Sequence, residues 1–204
     1  MATGRLAPDF FQTADVVHAA KSLLGKYLVS RIGGALCSGK IVETEAYRGP
    51  DDKACHAWNN KKTPRTAPMF AGGGIAYVYL CYGIHHLFNV VTGPEGMPHA
   101  VLIRALEPAD NSALMQERRQ WNKSAQRLAA GPGLLTRALG ITTTLSGQSL
   151  TDPSSSVWIE DRGARIDDAE IVASPRIGVA YAGECAAWEW RFCIKGHPCI
   201  SKPA

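Results

Sequence analysis

The stretch Lys40-Ile41-Val42-Glu43-Thr44-Glu45-Ala46-Tyr47-Arg48-Gly49-Pro50 decides how this chain is read. Apolar, β-branched and aromatic residues recur along it and it stops at a Gly-Pro turn, the pattern of a strand. Successive strand side chains point to opposite faces, so Glu43, Glu45 and Tyr47 share one face and Val42, Thr44 and Ala46 the other. A face carrying two acids and a flat ring does more than pack a core. It sets a proton acceptor beside an aromatic surface, as a site that holds a planar substrate and moves a proton requires. The plain structural alternative is a salt-bridged or surface glutamate.

Outward from this strand, the apolar positions Val16, Val17, Ala20, Leu23 and Leu24 repeat at helical spacing, with Thr13 as the expected N-cap and Gly25 as the expected stop. Strands are predicted at 27–31 and 38–47. Residues 48–74 hold Gly49-Pro50-Asp51-Asp52, Thr63-Pro64 and Gly72-Gly73-Gly74, which predicts a long functional loop. The runs 75–81 and 86–91 read as a hairpin with Tyr82-Gly83 at its turn, and 100–107 as a buried strand interrupted by Arg104. Helices are predicted near 109–121 and 133–139, a Ser/Thr/Gly-rich surface loop over 142–156, and short strands near 157–160, 170–173, 177–181 and 190–194. The pattern is that of one mixed domain spanning 1–204, with a largely antiparallel sheet and short flexible termini at about 1–8 and 202–204.

The chain has 204 residues, 46% hydrophobic and 20% charged, ordinary values for a soluble globular protein with a substantial core. No apolar run approaches a membrane span and the N-terminus lacks a signal peptide's apolar stretch, so the expected location is intracellular, with no membrane partner. The six cysteines form no Cys-x-x-Cys pair and are expected as free thiols. A net charge of +4 permits an anionic partner without requiring one.

Four groups of residues have chemistry to offer. Glu45 is a candidate general base, and Arg104 must pair or reach a site because an unpaired buried cation is very costly. An ion pair with Glu43 or Glu45 satisfies Arg104 equally well. Tyr77 and Tyr79 share a strand face while Tyr82 sits at the turn; with Tyr47 and His56 they offer rings to sandwich a planar group, against the alternative of ordinary core aromatics. Metal chemistry finds no support: His85 and His86 point to opposite faces, the cysteines lack zinc spacing, and neither His-Glu-x-x-His nor a zinc-deaminase signature occurs. Gly131-Pro132-Gly133 opens a predicted helix and suits one phosphate or simply a helix start.

Taken in order, Val42–Tyr47, Asp52 with His56, Thr63-Pro64-Arg65, Met69-Phe70, Tyr77-Val78-Tyr79 with Tyr82-Gly83, Asn89, Leu102–Pro108, Gly131-Pro132 and Pro175-Arg176-Ile177-Gly178 resemble the alkyladenine (3-methyladenine, methylpurine) DNA glycosylase family. The likeness runs from about residue 10 to about 201. It implies a single α+β domain with a curved sheet, flanking helices and a protruding β-hairpin. It also implies a monofunctional base-excision enzyme that flips alkylated or deaminated purines out of duplex DNA and hydrolyses the N-glycosidic bond. By position Glu45 matches the general base, and Arg104 with the main-chain carbonyl of Ile177 the groups that help hold the water. Tyr47, His56 and Tyr79 match the rings around the flipped base, Asn89 the residue that excludes guanine, and Tyr82 the residue that fills the gap in the stack.

Arg65, Arg118, Arg119, Lys123, Arg127 and Gly131 are the candidate backbone contacts, the 118–127 cluster being equally readable as a solvated helix face. The resemblance implies double-stranded DNA with damaged purines as the partner, a monomer without an obligate protein partner, no metal and no cofactor. A bacterial cytoplasm or nucleoid is the expected setting, or a nucleus in a eukaryote. The chain departs from the family at Leu134, where a lysine is usual, and at Gly183–Trp190. Two rival readings stay open: a non-catalytic binder of damaged DNA, and a hydrolase of free nucleosides.

Overall fold

The alternating segment is the second half of a longer strand. In the computed structural model, which describes residues 4–203, β3 (Ala35–Arg48) runs for 14 residues. Around it lie β1 (Gly4–Arg5), β2 (Tyr27–Ile32), β4 (Ala76–Cys81), β5 (His85–Thr92), β6 (His99–Pro108), β7 (Val157–Asp161), β8 (Ile171–Ser174) and β9 (Arg191–Ile194). They form one sheet ordered β1-β7-β2-β3-β6-β5-β4, with β9 added to β3 and β8 off that path. Every ladder between these strands is antiparallel.

β3 changes neighbours half-way. Residues 35–40 pair with β2, and Glu43–Glu45 pair with β9. At this handover the β3–β6 register is irregular, between Ile41 and Thr44. An irregularity of this kind bends a strand and increases its twist, so the sheet curls where Glu43 begins.

The two faces of the curled sheet have different tasks. Val42, Ala46, Val78, Phe88, Val90, Val101 and Ile103 lie in the main core with residues of three helices, α1 (Val16–Ser22), α2 (Ser112–Arg119) and α3 (Pro132–Leu139). On the opposite face, Glu45, Leu102, Asn89 and Tyr77 are successive cross-strand partners over β3, β6, β5 and β4. Direct cross-strand partners share a face, so one transverse row carries an acid, an amide and a phenol together.

Local structure differs from expectation at several points. Asp15 is the cap of α1, accepting from the Val17 and His18 N–H groups, while Thr13 Oγ1 accepts from the Asp15 N–H. The carboxylate takes both orphan donors that Thr13 lies too far back to reach. Residues 177–181, predicted as a strand, are irregular: Gly178 has φ +83° and a 3₁₀ segment spans Ala180–Ala187. The 142–156 segment is more than a surface loop, since Leu145 and Leu150 are buried and Ser149 bridges to Ile75. Residues 4–8 are tied down as well, because β1 pairs with β7 and the Leu6 N–H donates to Ile159 O.

Candidate active site

Glu43 and Glu45 are both fully buried, yet their surroundings separate them. Glu43 accepts from Arg104 Nε (2.9 Å), Arg191 Nε (2.8 Å), Ser201 N (2.5 Å) and Ser201 Oγ (2.7 Å). Three of these donors crowd Oε1 and one reaches Oε2, against the roughly four lone-pair sites of a carboxylate, and Arg191 and Ser201 both lie away from the main cleft. Burial by itself pushes the Glu43 carboxyl up, but Ser201 and the two guanidinium groups outweigh it and hold it below the usual carboxylate range. Glu43 is therefore a structural anion.

Glu45 is held by three donors. The Ile177 N–H gives to Oε1 at 2.7 Å, Tyr47 Oη gives to Oε2 at 2.7 Å, and Arg104 Nη1 lies 3.2 Å from Oε2. By the same count one acceptor site remains. Burial and the adjacent carboxylate push the Tyr47 phenol well above its ordinary range, so it stays a donor. Glu45 has no exposed surface; the wall that covers it consists of these three partners, all of which line the main cleft. The Ile177 contact is made by the N–H.

That cleft has a volume of about 580 Å³ and includes Tyr47, His56, Tyr77, Tyr79, Asn89 and Leu102 in its walls. His56 Nδ1 lies 2.9 Å from Tyr77 Oη, and its ring meets Tyr79 edge-on at 4.5 Å. Burial, with the Arg65 cation adding to it, lowers the His56 pKa to about 4, so at neutral pH its ring is uncharged. Asn89 Nδ2 donates to Tyr77 O at 3.0 Å, fixing which way the amide faces. The Arg65 guanidinium lies 5.1 Å over the Tyr79 ring and also borders the cleft.

The loop carrying His56 is anchored by an ion pair that sequence reading gave no role. Asp52 and Arg176 are fully buried as side chains and joined by two bonds, of 2.5 and 2.8 Å. Their separation by 124 residues hides them from any local pattern; the sole sequence signal is that each lies in a motif of the family set.

Tyr82 projects from the tip of the β4–β5 hairpin, 90% exposed, with Ile84 beside it at 71%. Tyr82 (φ +51°) and Gly83 (φ +73°) are consecutive left-handed residues, a conformation that glycine adopts freely and tyrosine only at a cost. Strained, exposed aromatics at a turn mark function more than stability. The family resemblance implies that this ring enters duplex DNA; on that expectation, replacing Tyr82 with serine weakens capture of a lesion-bearing duplex by about 1–3 kcal/mol, the contribution of one stacked ring. Binding and turnover equal to wild type would reduce Tyr82 to a turn residue.

The basic residues divide. Arg65 and Gly131 border the cleft, and Gly133 packs so close to the His85 ring that a Cβ there would lie 2.8 Å from it. Arg118 instead donates to Ile32 O and Ala138 O, and Arg119 to Leu128 O. Lys123 and Arg119 both sit over Trp121, and Arg127 donates to Ile200 O. None of these four is in the cleft wall. Arg118 and Arg119 are half-buried, so the fully solvated helix face allowed by sequence does not occur at these two positions. Leu134, the departure from the family pattern, lines the cleft.

A family model described as methylpurine-DNA glycosylase matches residues 9–198. The chain belongs to the methylpurine-DNA glycosylase family. A relative from Chlamydia felis (strain Fe/C-56), named "Putative 3-methyladenine DNA glycosylase", is 50% identical over 190 residues, covering 93% of this chain and 95% of its own. One from Bacillus cereus (strain G9842) with the same name is 45% identical over 203 residues, covering 96% and 98%. Membership makes the chain a DNA glycosylase, a hydrolase of N-glycosidic bonds acting in DNA repair. Among the described residues no helix is long and apolar enough to cross a membrane, and no cluster of His, Cys, Asp or Glu is placed to hold a metal ion.

Proposed function

We propose that this glycosylase flips alkylated or deaminated purines out of duplex DNA and hydrolyses the bond to the sugar with a water activated by Glu45. The lesion set is 3-methyladenine, 7-methylguanine, hypoxanthine and ethenoadenine. The observation that carries this reading is the difference between the two buried glutamates: Glu43 is bound by Arg191 and Ser201 away from the cleft, while all three partners of Glu45 line the aromatic cleft and leave its Oε1 with a single donor.

Tyr82 enters the stack and occupies the space of the displaced base, and the base is received among Tyr47, His56 and Tyr79. A neutral His56 is compatible there with the positive charge of 3-methyladenine or 7-methylguanine, where an imidazolium would repel it. Water enters beside Glu45 as the base seats against the wall formed by Tyr47, Arg104 and Ile177. It gives a proton to Glu45 and its oxygen bonds to C1′, while the C1′–N bond breaks and its electron pair leaves with the purine. General-base assistance of this kind contributes about 10²–10⁴-fold, roughly 3–5 kcal/mol of barrier. No lysine lines the cleft, which supports hydrolysis without a Schiff base. Asn89, held by Tyr77 O, crowds the 2-amino group of guanine. Arg65 and the Gly131–Gly133 turn suit backbone phosphates at the cleft mouth, a contact that positions DNA without reading sequence. The remaining candidates Arg118, Arg119, Lys123 and Arg127 lie off the cleft and are outer contacts at most.

Single-turnover excision from a labelled duplex carrying one hypoxanthine, repeated on DNA containing 3-methyladenine, tests the proposal. Alkali-labile sites on either substrate are the expected result. Tight binding of both duplexes without any such site would make the protein a non-catalytic binder, and cleavage of free nucleosides indifferent to competing duplex would make it a nucleoside hydrolase.

A further inference from the structure

We infer that Arg176, locked by Asp52, is a positioning residue that holds the Ile177 N–H against Glu45. The inference rests on the reading of Glu45 as the base. Arg176 Nη1 donates to Ala46 O (2.9 Å) and to Asp52; Nη2 donates to Asp52 Oδ1 (2.8 Å) and to Cys185 O (3.0 Å). The four terminal N–H bonds of one guanidinium thus tie together three segments: the end of β3 one residue after Glu45, the loop leading to His56, and the 3₁₀ segment after Ile177. The group is also layered between rings, 4.7 Å from Tyr47 and 5.4 Å from Trp190.

The next residue, Ile177, donates to Glu45 from irregular backbone that no sheet ladder fixes. Gly178 follows with φ +83° and with no atom packed where a Cβ would sit, so no neighbouring side chain wedges that turn in place. The clamp supplies the restraint. It does so at a cost that packing alone does not explain, since Arg176 Nε is buried without a partner among the described residues and an unsatisfied buried donor is unfavourable. A fork that bridges three segments while leaving its own Nε unpaired serves geometry more than stability.

The groups around Glu45 are Arg104 from β6, Arg191 as its cross-strand partner on β9 with its Nε bound to Glu43, Cys193 on the same strand, Tyr47 on its own strand, Tyr79 from β4 and Arg176 over Tyr47. Loosening the clamp removes one hydrogen bond to the charged form of Glu45 and leaves Arg104 in place.

Arg176→Lys keeps the charge and loses the fork; Asp52→Asn keeps the shape and loses the pair. In each, saturating single-turnover excision is expected to fall by about 10²-fold, the cost of misplacing a catalytic group by about an ångström. Affinity for the lesion duplex, to which the anchored His56 loop contributes, is expected to fall by no more than a few-fold, so the loss is mainly in rate. Equal losses of rate and affinity would overturn the inference and leave the pair a fold element. If wild type excises neither lesion, the functional reading fails, and the clamp is judged instead by hydrogen exchange of the Ile177 amide, whose N–H is held on Glu45. Exchange unchanged in both variants overturns it; faster exchange at Ile177 with the rest of the sheet unmoved supports it.

Discussion

Glu45→Gln is expected to lower single-turnover excision by about 10²–10⁴-fold while leaving capture of the lesion duplex intact. The change is isosteric and removes only the negative charge and one acceptor. In the protein, Oε1 takes the Ile177 N–H and Oε2 takes Tyr47 Oη with Arg104 beside it. A glutamine amide satisfies one side and opposes the other with its NH₂ group. The Tyr47 phenol can turn its proton and accept, so the cleft wall survives, but no proton acceptor of carboxylate strength remains. Of the three rings proposed to receive the base only Tyr47 touches Glu45; His56, Tyr79 and the exposed Tyr82 lie outside this change. Excision by the variant at the wild-type rate would remove Glu45 from the mechanism and leave it as a partner for Arg104 alone. A parallel collapse of duplex binding would show that the carboxylate supports the pocket's shape rather than its chemistry.

The face shared by Glu43, Glu45 and Tyr47 was legible because strand alternation is a local property, and so were the hairpin with Tyr82 at its tip and the arginine inside β6. The sequence could not tell the two glutamates apart, since their surroundings are set by Ser201, Arg191 and Ile177, which lie 132–158 positions away from the glutamates they meet. The family resemblance points to Glu45, and the cleft is lined by the partners of Glu45 and by neither Arg191 nor Ser201. The 177–181 segment reads as a strand because Ile177 and Val179 alternate. Left-handed Gly178 breaks it, and this irregularity frees the Ile177 N–H for Glu45 instead of a ladder partner. Arg118 and Arg119 look like a surface patch because charge in a helix usually faces water. Their carbonyl acceptors belong to β2, α3 and the segment after α2, and no helical periodicity encodes those.

Arg104→Met is the second large effect. Arg104 stands between two buried carboxylates, 2.9 Å from Glu43 and 3.2 Å from Glu45, with its own side chain 7% exposed. Removing one partner of a buried pair costs about 3–5 kcal/mol, here leaving two like charges on one strand face without the cation between them. For a domain of this size the melting temperature falls by about 2–4 °C per kcal/mol. The pH dependence separates charge from packing. Glu43 is held below its ordinary 4.5 in the folded protein, so its contribution is fully present above that value and is lost as pH falls through the lower folded value. In Arg104→Met the guanidinium's part of that contribution is already gone at neutral pH while Ser201 and Arg191 remain, and protonation at acid pH relieves the remaining repulsion. The melting-temperature gap between wild type and variant is therefore expected to be widest near neutrality and to narrow below about pH 4.5. A gap of constant size across that range would assign the loss to the missing side-chain volume. Excision is expected to fall with the charge in either case, because a thioether in place of the guanidinium offers no donor to Glu45 or to its water.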